Sequence, residues 1–150
     1  MKKLKRKFCI IMIFLILAMI SVSIVSANAE TGYIVRPSEN EDPIIITKLS
    51  DTITQSETNR HQMSVGNQVD YLEIYHNWQS TSDSLSLTIY TPSWQKIGTF
   101  HDLDDDTLDG KIHIDIVPNG NYVEQGTWTF DVYGESVSSR RSYTFNLISH

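Results

Sequence analysis

The stretch from Ser84 to Ile116 constrains this chain most, because its side chains switch between apolar and polar at every second residue. Leu85, Leu87 and Ile89 fall on one side of the alternation, with Ser86, Thr88 and Tyr90 on the other. Ile112, Ile114 and Ile116 repeat it against Lys111, His113 and Asp115. Successive residues of a strand point to opposite faces, so a period of two marks strands with one face on a core and one in water. His113 is accordingly expected to be exposed. Between the two strands runs His101-Asp-Leu-Asp-Asp-Asp-Thr-Leu-Asp-Gly110, which packs five aspartates into eight residues.

Similar signals recur about every ten residues. Thr52 to Glu57 and His61 to Val65 are modest strand candidates. Val69 to His76 is stronger, with Leu72 and Ile74 on one face and Tyr71, Glu73 and Tyr75 on the other. Pro92, in Thr91-Pro-Ser-Trp94, pre-sets the first central position of a turn, after which Gln95 to Phe100 returns as a partner strand. Lys111 to Val117 stops at Pro118-Asn-Gly-Asn121. Gly126 to Gly134 sends Trp128, Phe130 and Val132 inward, and Ser142 to Ile148 does the same with Tyr143, Phe145 and Leu147. Seven to nine short strands without a helical pattern predict an all-β fold, an antiparallel β-sandwich of jelly-roll type, as one domain over residues 44–150.

The first 29 residues stand apart. Five of the twelve basic residues lie in Met1 to Lys7, an apolar run follows from Phe8 to Val25, and Ala27-Asn-Ala29 offers small residues for cleavage. This is the plan of a secretory signal peptide. The run is near the length that spans a bilayer, so an uncleaved anchor is the rival reading; Ser21, Ser23, Ser26 and the Ala-x-Ala box favour cleavage. Residues 30–43, rich in acids and turn formers, read as a flexible amino-terminal arm. Residues 44–46, three isoleucines, read as a first edge strand or a tether.

Cleavage leaves seven bases against eighteen acids, a net charge of −11. That surface disfavours nucleic acid and anionic lipid as partners. It fits a secreted or cell-surface protein with no stable membrane insertion once the leader is gone. The lone cysteine, Cys9, leaves with the leader, so the domain is held by packing or by packing and a metal.

Asp102, Asp104, Asp105, Asp106 and Asp109 are hard oxygen ligands on a short loop, and calcium is the cation such a loop suits. A solvated acidic turn is the plainer alternative. An EF-hand is excluded: Thr107 stands where glycine is needed and His113 where glutamate is needed. The five histidines follow no zinc spacing, and no serine elbow, cysteine nucleophile or phosphate loop is present. An enzyme is not expected. Trp94, beside a proline at a hairpin tip, is the aromatic expected to be exposed, and so the candidate for binding a glycan or protein partner.

Taken together, Ser84-Leu-Ser-Leu-Thr-Ile-Tyr-Thr-Pro-Ser93, the aspartate-rich loop and Gly126-Thr-Trp-Thr-Phe-Asp-Val132 resemble the pre-peptidase C-terminal domains of secreted proteases and the related proprotein-convertase P-domains. The likeness runs from about Asp51 to Ile148 and is closest to secreted archaeal forms. It implies a non-catalytic extracellular sandwich, often calcium-loaded, serving targeting, stabilisation or surface binding. Asp102, Asp105 and Asp109 fall on the aspartates of that family's loop, whereas Asp106 replaces its usual glycine and Ser93-Trp94 its Asp-Gly turn. The expected function is therefore a secreted binding or accessory module. The alternatives are a structural envelope protein without metal and, behind it, an extracellular hydrolase.

Overall fold

The computed structural model describes residues 31–43 and 49–150. The leader at 1–29 and the isoleucines at 44–46 lie outside the described residues. Nine strands form two antiparallel sheets. They are β1 Tyr33–Pro37, β2 Leu49–Ile53, β3 Thr58–Val65, β4 Leu72–Asn77, β5 Ser84–Tyr90, β6 Lys96–Phe100, β7 Lys111–Pro118, β8 Gly126–Ser136 and β9 Arg141–Ser149. One sheet has the order β1-β7-β4-β9-β2 and the other β3-β8-β5-β6. Strands β2 to β9 pass between the sheets in the order of an eight-stranded jelly roll, and β1 adds a fifth strand beside β7.

The alternation explains the layers. Leu72 and Ile74 on β4 and Ile112, Ile114 and Ile116 on β7 are fully buried, as are Leu85, Leu87 and Ile89 on β5 and Trp128, Phe130 and Val132 on β8. Each such side chain stabilises the fold by about 1.5–3 kcal/mol relative to exposure. Phe130 and Phe145 meet across the sandwich with ring centroids 4.9 Å apart. Tyr33 of β1 closes one end, edge-on to Trp128 at 5.5 Å.

Three expectations change. The arm read as flexible carries β1, paired with β7 from Tyr33 opposite Pro118 to Pro37 opposite Ile114. Its five residues, three of them consecutive apolar ones, were too few to show a period. The segment Thr52 to Glu57 is strand only to Ile53, after which Thr54 and Glu57 make a turn in which the Glu57 carboxylate accepts from the Thr54 amide at 2.8 Å. The face expected to be in water on β4 and β7 is closed: Glu73 is 3% exposed and His113 6%. The topology supplies the reason. β1 and β2 lie at opposite edges of one sheet, and residues 38–43, which lead away from β1, lie over that sheet's outer face.

Candidate functional site

Three places gather polar or aromatic side chains, and they differ in what remains open to a ligand.

The first is the acidic loop. It folds as a one-turn 3-10 helix, Asp102–Asp105, in which the Asp104 carboxylate accepts from the His101 amide at 2.7 Å. Asp102 turns inward and accepts from the amides of Asp109 and Gly110 at 3.0–3.2 Å. Asp105 accepts from the amides of Thr107 at 3.1 Å and His113 at 2.8 Å. Burial pushes the Asp105 carboxyl up despite those amides, and the neighbouring Asp109 and Asp102 add to it. Asp109 pairs with the Lys111 ammonium at 3.1 Å. Asp106 takes a left-handed backbone (φ 68°), a conformation that favours glycine, and its side chain is exposed. The inward carboxylates thus act as caps for backbone donors of the loop. Among the described residues no three His, Cys, Asp or Glu side chains are set to hold a metal. As folded, Asp102 and Asp105 are held by backbone amides and are not gathered with a third carboxylate into a cradle.

The second place was not foreseen. Residues 38–43 lie as a strap over the outer face of the five-stranded sheet. Beneath them the Glu73 carboxylate receives His113 Nε2 on one oxygen and His150 Nε2 on the other, both at 2.8 Å. Asn40 donates to the same carboxylate at 2.9 Å. Asp42 accepts from the Lys111 ammonium at 3.0 Å and from the Tyr75 hydroxyl at 3.2 Å. Burial works against the Glu73 anion, but these donors outweigh it and hold its carboxyl below the usual range. Lys111 in turn is raised by its two carboxylates. Every group here is spent on fastening the strap, and neither Glu73 nor His113 is open to solvent.

The third place is the outer face of the four-stranded sheet, where the structure puts Trp94. This side chain is 60% exposed. Its backbone is left-handed (φ 64°), a conformation that costs a non-glycine residue about 1–2 kcal/mol. The turn that imposes it is pinned on all sides. The Trp94 amide donates to the Thr91 carbonyl at 2.9 Å, and the Gln95 amide to the Thr91 hydroxyl at 3.1 Å. Ser93 Oγ donates to Glu124 at 3.1 Å. Gly126 (φ 137°) lets Pro92 pack close, since a Cβ there would sit 2.9 Å from the proline Cβ. The indole folds back toward Tyr90, with centroids 6.1 Å apart, and under the Arg60 guanidinium, 5.8 Å above its centre. Arg60 is fixed by a two-pronged pair with Asp131, Nε and Nη2 donating at 2.7 and 2.8 Å. The sequence signal for Trp94 was the Pro92 turn; nothing in it joined Arg60 of β3 to Asp131 of β8, a pairing set by the register of the sheet.

No family model matches this chain, and no curated protein is similar to it in sequence. Solved structures are similar in fold. One is that of the CspB protease of Clostridium perfringens, with a TM-score of 0.53 and 11% identity over 67% of this chain. The chain spans 25% of that protein's length. At this identity the likeness concerns the fold alone.

Proposed function

We propose that the protein is a secreted, non-catalytic β-sandwich module that works by binding, at the cell surface or outside the cell, as an accessory to other extracellular molecules. One observation carries this reading: a tryptophan held open to solvent, in a costly backbone conformation, on a turn that nothing allows to relax. A residue so placed contributes little to folding, and strain retained by rigid surroundings is characteristic of binding surfaces. The closed groups support the same reading. Glu73, His113 and His150 fasten the strap, Asp83 is taken by Ser138 and Arg141, and Asp102 and Asp105 cap backbone amides. The basic, apolar leader supports export. The resemblance to protease-appended domains supports the accessory role.

The test is a reporter enzyme fused to the chain and added to intact cells of the source organism. The reporter should be retained by the wild-type fusion and released by Trp94→Ala, while the chain alone turns over no ester, peptide or glycoside reporter. Turnover at enzymic rates, or retention indifferent to Trp94, would overturn the reading.

A further inference from the structure

We infer that the outer face of the four-stranded sheet binds an uncharged polysaccharide, stacking one sugar ring on Trp94 and taking its hydroxyls with the paired Arg60 and Asp131. This rests on the reading above that the module binds and does not transform.

The composition of the face selects the ligand. The inward positions of β3, β8 and β5 carry the core, so their outward positions are those between. There stand Arg60 and Gln62 on β3, Asp131, Tyr133 and Glu135 on β8, Thr88 and Tyr90 on β5, and Lys96 and Thr99 on β6, with hydroxyl residues at the remaining positions of β3, β8 and β5 and no aliphatic side chain among them. A face without aliphatic groups offers little to a dry protein interface or to lipid chains. A sugar ring has the matching chemistry: axial C–H groups form an apolar side that lies on an aromatic ring, and hydroxyls around its edge need donors and acceptors in nearly the same plane.

Both are supplied here and both are fixed. The indole is held by its turn, and the guanidinium by the Asp131 carboxylate, so little side-chain freedom is lost on binding. Arg60 spends two of its five N–H groups on Asp131 and keeps the rest beside the exposed indole. The Thr88 and Thr99 hydroxyls meet at 2.8 Å on the same face and extend the polar row.

Charge excludes the competing ligands. Arg60 is neutralised by its partner, and the chain carries eighteen acids against twelve bases even with the leader counted. Phosphate, sulfate and uronate polymers meet net repulsion; the cation over the indole is paired with Asp131, and exposed Lys96 stands opposite Tyr90 on the edge strand β6.

The structure also supplies the probe. Trp78 and Trp128 are 1% and 0% exposed, so only Trp94 of the three tryptophans is open to a quencher. The full chain is mixed with insoluble cellulose, chitin, starch and β-1,3-glucan, with heparin-agarose and phosphatidylglycerol vesicles in parallel, and acrylamide quenching is read on soluble oligomers of any glycan retained. At least one uncharged glycan should retain the chain and shield the quenchable tryptophan. Trp94→Ala should weaken that retention at least tenfold, and Arg60→Lys, which keeps the charge but loses the fork, several-fold, with unfolding midpoints near wild type for both.

Retention by heparin or vesicles that depends on Trp94, with none on the uncharged glycans, would overturn the inference and leave the module reading standing. Glycan binding that leaves Trp94 quenchable would overturn both. Silence on every surface overturns the inference too. Release of reducing ends from the retained glycan would instead sink the module reading itself.

Discussion

Acid should unfold this protein earlier than its carboxylates require, and His76 is the reason. Period two places it on the core side of β4 with Leu72 and Ile74, and it is fully buried. Its Nδ1 lies 3.3 Å from the Thr144 carbonyl, so that nitrogen carries the proton, while Nε2 is buried without a partner. Trp78, Tyr143 and Phe145 surround the ring with centroids at 5.1–6.1 Å. A second proton would find no acceptor there. Burial therefore pushes the imidazole down to about 3 from 6.5, against the pull of the Thr144 bond.

The folded pKa lies below the unfolded one, so the unfolded chain binds the extra proton first. Stability is full above pH 6.5 and falls as pH drops toward 3. At 1.36 kcal/mol per tenfold step, the loss is about 2 kcal/mol at pH 5 and about 3 kcal/mol at pH 4. Between pH 7 and 5 most carboxyls stay ionised in both states, so this window reports histidines. The assay is urea unfolding of wild type and His76→Phe at the two pH values, followed by tryptophan fluorescence. Phenylalanine keeps the ring stack and removes both nitrogens. Its loss of stability from pH 7 to 5 should be smaller than wild type's by about 2 kcal/mol. A variant that loses as much as wild type would refute the reasoning, because the proton would then be going elsewhere. His61, also lowered by burial, is the group to change next in that case.

Glu73→Gln should cost about 2–3 kcal/mol by removing the anion that two imidazoles and Asn40 share, read as a lower urea midpoint. Because the Glu73 carboxyl is lowered in the fold, the variant should also lose part of the wild-type drop in stability as pH falls below about 4.5. Gly110→Ala should cost several kcal/mol, since Gly110 has φ 80° and an added Cβ would collide with the Ser80 backbone; thermal unfolding reads it, and a small change would mean that the two loops separate easily. Calcium in millimolar excess after EDTA should leave the melting temperature unmoved, because the inward aspartates already hold amides. A calcium-specific rise of several degrees that disappears in Asp109→Asn would show that the loop reopens to take the ion.

What the sequence revealed and what it hid divide along a physical line. A strand's inner face is read directly, because burial demands apolar residues at every second position; Leu85 to Ile89, Ile112 to Ile116 and Trp128 to Val132 could be placed from spacing alone. An outer face obeys no such demand. Its fate depends on which chain passes over it, and that is set by topology. Glu73 and His113 alternate as solvent-facing residues do, yet they lie under residues 38–43, which lead away from β1 at one edge of the sheet, while Asp115 is covered by Arg36 of β1 itself. The acidic loop shows the same limit: five aspartates in eight residues suggest a cation, but a carboxylate also caps an amide, and spacing alone could not show that Asp102 and Asp105 would receive the amides of Gly110, His113 and Thr107. Trp94 was legible because its position is local, fixed by the proline two residues before it. Arg60 and Asp131 were not, since their meeting needs the register of β3 against β8. Local chemistry therefore announces the exposed tryptophan, and only the register of the sheet shows the charged pair that stands beside it.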